Sequence, residues 1–267
     1  MRWLALASGI VLGVSSLARS QDLDAIEKLG ALRVLVVPPP TDQVEFWSMT
    51  AGPSPGFERE MVEAFAASRH LRVEVVPVET WADVVPALLA GKGDLIAGRF
   101  TETATRAEKI AFTAPVFPTR HVAVTRKPHR VVRNVEELRK EKVGTVSGTS
   151  LEEAVRAAGV PDAQIEALPG GTLLSALQGG KVSCIVWGVD SAIPAQRLDP
   201  AVQIGTFVGS PSHLAWGVRK TSPALLERLN EFITAHKKTT WSKLVVKYFG
   251  PSAPELLRKA RAVGSGD

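Results

Sequence analysis

Arg106 lies among hydroxyl side chains between a predicted apolar strand and a proline, in the segment TETATRAEKIAFTAP (101–115). Two interpretations of this residue are open. It is either a solvated residue on the surface of a helix or the group that holds a ligand. In the second case its planar guanidinium would match the geometry of a carboxylate and would keep its charge when partly desolvated.

A second segment with binding chemistry is the turn SGTS (147–150), which follows a predicted strand and precedes a predicted helix. Backbone N–H groups at a helix N-terminus, here around Thr149 and Ser150, form a natural anion site. The other interpretation is an ordinary cap, in which Thr149 or Ser150 hydrogen-bonds to its own helix. The two interpretations are compatible.

The remaining composition argues against several other kinds of chemistry. No Ser/His/Asp set and no metal-like cluster is recognisable among the five histidines, and the formal charge of +5 is not concentrated in a dense basic tract. The single cysteine, Cys184, excludes an intramolecular disulfide and lies in an apolar run, where we expect a buried, unreactive thiol. We therefore expect no metal, no cofactor and no nucleic-acid partner.

Strand and helix patterns alternate along the chain, which predicts an α/β fold with mostly parallel strands. The segment ALLAGKGDLIAG (87–98) aligns without a gap with the first twelve residues of ALQGGKVSCIVWG (176–188), so that Ile96 matches Ile185. A repeat at this distance is a domain, and the pattern predicts two similar lobes.

Ligands bind beyond the carboxyl ends of the strands in open α/β sheets. Two lobes that face each other would therefore bring three segments into one cleft. These segments are 98–106 in the first lobe, with 147–150 and 187–190 in the second.

The predicted domain boundaries follow from these patterns. Residues 1–20 combine one early basic residue, an apolar stretch and small residues, as is typical of a secretory signal peptide. Prolines around 115–119 suit a hinge, with a return crossing near 209–220. The prediction is a first lobe of 21–117 and 212–267, and a second lobe of 118–211.

Five motifs resemble, in their order, those of the family 3 extracellular solute-binding proteins, the periplasmic amino-acid-binding proteins of ABC importers. They are PGFEREMVEAFA, DLIAGRFTETATRAEKIAFTAP, VGTVSGTSLEEAV, ALQGGKVSCIV and WSKLVVKYFG. The phrase HLAWGVRKTSPALLERLNEF also resembles the binding-protein-like domain of membrane-bound lytic murein transglycosylases. The resemblance implies a type II periplasmic binding protein fold: two lobes, each a mostly parallel sheet flanked by helices, joined by a two-strand hinge.

The resemblance also implies the roles of particular residues. Arg106 matches the arginine that forms a two-pronged salt bridge with the ligand's α-carboxylate, and Thr101 matches the threonine that offers a hydroxyl and an N–H. The turn with Thr149 and Ser150 matches the second grip on the carboxylate.

Two positions depart from the family pattern. Gly188 falls where the family usually has an aspartate for the α-ammonium group. Asp190 replaces that acid if the strand ends one pair later; otherwise the ligand is a carboxylate without an α-amino group. Arg99 stands where the family often has glycine. It either adds a positive charge to the cleft, favouring a dicarboxylate or acidic peptide, or turns to solvent.

Aromatic side chains complete the expected site. Phe46 and Trp47 lie in the loop that usually carries an aromatic against the ligand, and Trp187 lies at the facing strand end. Aromatic walls with a few fixed polar groups suit a small-molecule cleft. Each of these residues has a second interpretation as part of the core.

The function implied is a non-enzymatic periplasmic receptor that captures a small carboxylate or amino acid and delivers it to the membrane permease of an ABC importer, or to a sensor. We expect a monomer. One alternative is an enzyme like the cyclohexadienyl dehydratases, with Glu102, Asp190 or Glu45 as its acid. Another is a regulatory module that senses cell-wall fragments.

Overall fold

The computed structural model describes residues 14–39, 45–50, 52–251 and 253–261. Most of the predicted signal peptide, residues 1–13, lies outside the described residues, whereas its last residues begin helix α1. The helices are α1 (Val14–Leu29), α2 (Phe57–Ala67), α3 (Val84–Leu89), α4 (Ala104–Ala107), α5 (Val135–Leu138), α6 (Ser150–Ala157), α7 (Leu173–Gln178), α8 (Val189–Leu198), α9 (Pro223–Thr239), α10 (Trp241–Phe249) and α11 (Ala253–Arg261), with a short 3₁₀ helix at Asp162–Gln164.

Ten strands, which form two sheets, accompany these helices in the described part of the chain. The strands are β1 (Ala31–Val36), β2 (Arg72–Pro77), β3 (Leu95–Ile96), β4 (Ala111–Phe112), β5 (Phe117–Arg126), β6 (Val143–Val146), β7 (Ile165–Leu168), β8 (Cys184–Gly188), β9 (Val202–Leu214) and β10 (Gly217–Val218). The first sheet has the order β2-β1-β3-β10-β4, and the second has the order β7-β6-β8-β5-β9.

The two sheets share one winding pattern. In the first sheet β1 is parallel to β2 and β3, and in the second β6 is parallel to β7 and β8. Antiparallel strands then extend each sheet: β10 beside β3, and β5 beside β8. The aligned residues Ile96 and Ile185 lie on β3 and β8, the equivalent third strands of the two parallel trios. The predicted α/β class with two similar lobes is confirmed.

Two long strands connect the lobes. The strands β5 and β9 pair antiparallel from Phe117 opposite Leu214 to Arg126 opposite Val202. A bridge between Thr101 and Leu214 joins β9 to the end of the first-lobe segment that carries Arg106. The lobe boundaries predicted near 117 and 212 fall inside this strand pair.

Apolar faces on both sides of each sheet form the cores. In the first lobe the rings of Phe46, Phe57, Phe117 and Phe249 pack with centroids 4.9–5.9 Å apart. Helix α9 buries Leu225, Leu229 and Ile233 against the same cluster. Cys184 is fully buried in the second lobe, and burial raises the pKa of its thiol to about 12, so the thiol stays protonated.

Helix α3 contains a proline, Pro86. Helix α3 begins at Val84, so Pro86 lies in its first turn. The first N–H groups of a helix have no intrahelical acceptor, and the missing N–H of Pro86 therefore removes no helical hydrogen bond.

Within the described residues, no helix combines the length and the apolar character that a bilayer span requires.

Candidate functional site

A cleft of about 400 Å³ opens where the carboxyl ends of the parallel strands of the two lobes face each other. Seven of the nine predicted site residues line it: Thr101, Arg99 and Arg106 from the first lobe, and Thr149, Ser150, Trp187 and Asp190 from the second. The remaining two predicted residues, Phe46 and Trp47, are not among the residues that line it.

Arg106 presents a guanidinium group to this cleft from the short helix α4, whose N-cap is Thr103. Its Nη1 donates to the carbonyl oxygen of Thr101 at 2.7 Å, and its Nη2 lies 3.4 Å from the carbonyl oxygen of Gly148 in the opposite lobe. Its Cζ lies 4.5 Å from the centre of the Phe100 ring, which orients the plane of the group.

The charge of Arg106 has no carboxylate within ion-pair distance among the described residues. Its guanidinium donates to main-chain carbonyls, whereas other arginines of the cleft and surface pair with acids. Burial lowers the pKa of the guanidinium, an effect that Glu153 partly opposes, but an arginine remains charged at any physiological pH. The cleft therefore contains a partly desolvated cation that can accept an anionic ligand.

The N-terminus of helix α6 faces the cleft from the second lobe. The Thr149 hydroxyl donates to the carbonyl oxygen of Val146 at 2.6 Å and makes no capping bond to its own helix. Gly148, with φ of 72°, turns the chain, and its N–H donates to the Glu152 carboxylate at 2.9 Å. Because Thr149 does not cap the helix, the first-turn N–H groups of α6 receive no hydrogen bond from its side chain, and Thr149 and Ser150 both line the cleft.

Gly188 and Asp190 form one unit at the end of β8. The strand ends at Gly188 and helix α8 begins at Val189, so Asp190 lies in the first turn of a helix and not on an extended chain. Its carboxylate folds back over Gly188: a Cβ placed on Gly188 would lie 2.4 Å from Asp190 Oδ1. The Asp190 carboxylate thus occupies the space that a side chain at position 188 would need.

Arg99 turns into the cleft and joins the two lobes. Its Nη2 lies 3.2 Å from Asp190 Oδ2 and also donates to the Ser191 hydroxyl. The Thr119 hydroxyl donates to Asp190 Oδ1 at 2.6 Å. The guanidinium Cζ of Arg99 lies 5.8 Å from the ring centre of the buried Phe46, which places the cation over the face of the ring in a cation–π contact.

Glu58 was not recognised from the sequence, although it fixes the loop that carries Arg99. Its Oε2 accepts the N–H groups of Gly98 and Arg99, each at 2.6 Å. Both of these residues have positive φ, 85° and 74°. A usable signal exists, because Glu58 shares the spacing of the buried residues Met61, Val62 and Phe65 on helix α2.

Two further residues of the cleft were missed. Trp81 lies in the turn before α3 and stacks on Phe100, with ring planes 5° apart and centroids 6.3 Å apart. His121 on β5 also lines the cleft; burial lowers its pKa, although Asp190 and the main chain of Ser150 oppose that shift. A buried neutral imidazole adds no positive charge to the cleft.

The structure also places the acids considered for an enzymatic mechanism. Glu102 pairs with His213, and Asp190 pairs with Arg99. Glu45 is not among the residues that line the cleft, and burial raises the pKa of its carboxyl group.

Replacing Gly188 with alanine should disrupt the unit that Asp190 forms. The new methyl group would displace a carboxylate that is fixed by Thr119 and Arg99, leaving those donors imperfectly paired. We expect the free energy of unfolding to fall by about 1–3 kcal/mol, as measured by urea denaturation. The matched control is Gly170→Ala in the same cleft, where the added Cβ meets nothing within 4 Å. Equal stability of the two variants would contradict the assignment.

The model of the family described as bacterial extracellular solute-binding proteins, family 3, matches residues 36–251. Among curated proteins, the membrane-bound lytic murein transglycosylase F of Maricaulis maris is 29% identical over 213 residues, which is 78% of this chain and 46% of that protein. The probable histidine-binding protein of Neisseria gonorrhoeae is 26% identical over 205 residues, covering 73% of this chain and 74% of that protein. The chain spans about half the length of the transglycosylase relatives it matches.

Solved structures with the same arrangement are amino-acid-binding proteins. The ancestral amino acid-binding protein AncCDT-1, a precursor of cyclohexadienyl dehydratase, superposes with a TM-score of 0.76 at 28% identity, covering 85% of this chain and 99% of that one. Holo ArgBP from T. maritima superposes with a TM-score of 0.71 at 25% identity, covering 85% of this chain and 99% of that one.

Proposed function

Because the chain belongs to the bacterial extracellular solute-binding proteins, family 3, we propose that it is a periplasmic receptor for a small carboxylate-bearing ligand, an amino acid or a related compound. The observation that carries this proposal is the Arg106 guanidinium. It faces a cleft between the lobes and has no carboxylate partner among the described residues.

The two lobes supply complementary parts of one anion site. Arg106 offers a planar fork of donors from the first lobe, and the N-terminus of helix α6 offers N–H groups and the positive end of its dipole from the second. Arg106 already reaches the carbonyl oxygen of Gly148 in the turn that precedes this helix. A carboxylate between them would contact both lobes at once, so its binding favours the closed arrangement of the hinge.

The dimensions of the cleft fit a small ligand. A volume of about 400 Å³ lies at the lower end of the range for small-molecule sites, roughly 300–1,000 Å³. Trp81 and Trp187 provide aromatic wall area for the uncharged part of the ligand. The proposal therefore includes amino acids and related acids and excludes large substrates as complete occupants.

Delivery to a membrane permease completes the proposal. The closed form would be recognised by an ABC importer, as the family membership and the relatives named as probable histidine-binding proteins suggest. The protein itself performs no chemistry in this scheme, because the cleft acid Asp190 is held by Arg99, Thr119 and Ser191.

A thermal-shift screen tests the proposal. The purified protein would be heated with single amino acids, 2-oxo acids, dicarboxylates and muropeptides. A ligand at 100 times its Kd adds about 2.7 kcal/mol of stability, which gives a clear rise in unfolding temperature. Absence of a shift with every carboxylate would overturn the proposal.

A sensing role for cell-wall fragments is a second candidate, favoured by the transglycosylase relatives that match most of this chain. The muropeptide arm of the screen separates it from transport of free acids. An assay of prephenate turnover tests the enzymatic alternative, since AncCDT-1 is described as a precursor of a cyclohexadienyl dehydratase.

A further inference from the structure

Few of the described residues of the cleft carry a carboxylate that could pair with an ammonium ion. Among its described lining residues, the only carboxylates are Asp190 and Glu79. Glu79 is exposed at the edge, where water screens an ion pair and reduces its contribution. Among the described residues, recognition of an α-ammonium by a carboxylate inside the cleft would therefore depend on Asp190.

Three of the about four acceptor positions of the Asp190 carboxylate are already used by the protein. Its Oδ1 accepts from Thr119 at 2.6 Å, and its Oδ2 lies 3.2 Å from Arg99 Nη2 and 3.4 Å from the Ser191 hydroxyl. The residue is only 4% exposed. An incoming ammonium would have to compete with Arg99 for this buried carboxylate. Displacing Arg99 would leave a partly buried guanidinium without its carboxylate, and such a loss is strongly unfavourable.

The pairing of Arg99 also determines the charge that a ligand meets. Arg99 and Asp190 neutralise each other, so Arg99 is not available for a second carboxylate and the reason for expecting a dicarboxylate disappears. Among the described lining residues, Arg106 is then the arginine that forms no ion pair with a carboxylate. The site is complementary to one negative charge.

The walls around that charge are largely apolar. Trp81, Leu151, Leu168, Pro169, Leu173 and Trp187 surround the space beyond Arg106. The body of the ligand is therefore uncharged, since a charged group against these side chains would lose its hydration without a partner.

Building on the proposed function, we infer that the ligand is a monocarboxylate without a free α-ammonium group, such as a 2-oxo acid or an N-acylated amino acid, and that Arg99 excludes the ammonium by occupying Asp190. Arg99 is thus the residue that determines specificity at this end of the cleft. Gly188 is required beside it, because any side chain there would push the Asp190 carboxylate out of the pair.

Matched pairs of ligands test this inference. Isothermal titration would compare phenylalanine with phenylpyruvate and with N-acetylphenylalanine, and leucine with 4-methyl-2-oxopentanoate. Within each pair the carboxylate and side chain are shared, and the free ammonium is the difference. We expect the ligands without ammonium to bind at least tenfold more tightly, which corresponds to about 1.4 kcal/mol.

Repeating these titrations with the variant Arg99→Gly provides the decisive test. Position 99 has φ of 74°, which glycine adopts readily, so removing the side chain should not strain the loop. With Asp190 released from its pair, we expect the affinity ratio between the ligand without ammonium and the matching amino acid to shift by at least tenfold in favour of the amino acid. Arg99→Lys keeps the positive charge and should keep the wild-type preference, while Arg120→Ala, outside the cleft lining, should leave the ratio unchanged.

The outcomes separate this inference from the proposed function. Tighter binding of amino acids by the wild type, or an unchanged ratio in Arg99→Gly, overturns the inference but leaves a carboxylate receptor. Absence of binding for all members of these pairs and for every other carboxylate in the screen overturns both. A wild-type preference that Arg99→Gly reverses supports both.

Discussion

Replacing Arg106 with alanine is expected to reduce the affinity for the carboxylate ligand by about 100-fold to 1,000-fold, or about 3–4 kcal/mol. Each charge-assisted hydrogen bond contributes about 1.5–3 kcal/mol, and the guanidinium can donate two of them in parallel. The N-terminus of helix α6 would remain and would account for residual binding. Isothermal titration with a ligand identified in the thermal-shift screen measures this loss.

Two controls make the Arg106 result specific. Arg106→Lys keeps the charge but loses the fork, so we expect an intermediate affinity. Arg120→Ala removes an arginine whose Cζ lies 4.3 Å from the ring centre of Phe207, away from the cleft lining, and should leave the affinity unchanged. The fold should survive the loss of Arg106, since among the described residues its guanidinium donates only to the carbonyls of Thr101 and Gly148. Wild-type affinity in a folded Arg106→Ala protein would refute the site.

Replacing Glu58 with alanine is expected to lower the free energy of unfolding by about 3 kcal/mol or more, because two N–H groups at the bottom of the cleft would lose their acceptor. Glu58 is fully buried and accepts from Gly98 and Arg99 at 2.6 Å. Glu58→Gln keeps an acceptor oxygen at the same place and should cost less. Urea denaturation of the three proteins at one pH should give similar free energies of unfolding for the wild type and Glu58→Gln, and the lowest value for Glu58→Ala.

The same residue makes stability depend on pH. Burial raises the pKa of Glu58 from 4.5 to about 7, although the N–H groups of Gly98 and Arg99 oppose this shift. The folded protein therefore holds a proton that the unfolded chain has lost. The resulting stabilisation is complete below pH 4.5 and decreases as the pH rises toward 7, by up to about 3 kcal/mol.

Glu58→Gln carries no titratable group at this position and serves as the reference. We expect the stability of the wild type relative to Glu58→Gln to decrease between about pH 5 and pH 7 and to become constant above that. Parallel stability curves for the two proteins across this range would show that Glu58 does not titrate as described.

The fold was predictable because it depends on patterns that extend over many residues. The alternation of strands and helices and the repeat that pairs Ile96 with Ile185 predicted two similar lobes, and the structure has them. The rule that strand ends converge predicted which segments meet, so Arg106, Thr149 and Asp190 all line one cleft.

The finer features of the site depend on contacts that no local pattern records. Whether Arg99 faced solvent or the cleft depended on Asp190, which is 91 residues away in sequence and belongs to the other lobe. Gly188 stands where the family usually has an aspartate, which predicted that the acid was missing. In the structure, Asp190 in the first turn of helix α8 places its carboxylate in the space that a side chain at position 188 would need.

The sequence also did not determine which aromatic side chains lie in the core and which line the cleft. Phe46 and Trp47 lie in the core, with 2% and 1% exposure, whereas Trp81 lines the cleft. An aromatic side chain suits either environment, and only the path of the surrounding loop decides between them.

The position of β10 has a consequence for the order in which the protein folds as it is made. All five strands of the second sheet lie between residues 117 and 214, whereas the first sheet needs β10, at 217–218, to join β3 to β4. A chain that emerges from its N-terminus therefore exposes the open edge of β3 while the second lobe completes its own sheet. The lobe that begins first is completed last, so the apolar strands of its sheet stay exposed for longer during synthesis than those of the second lobe.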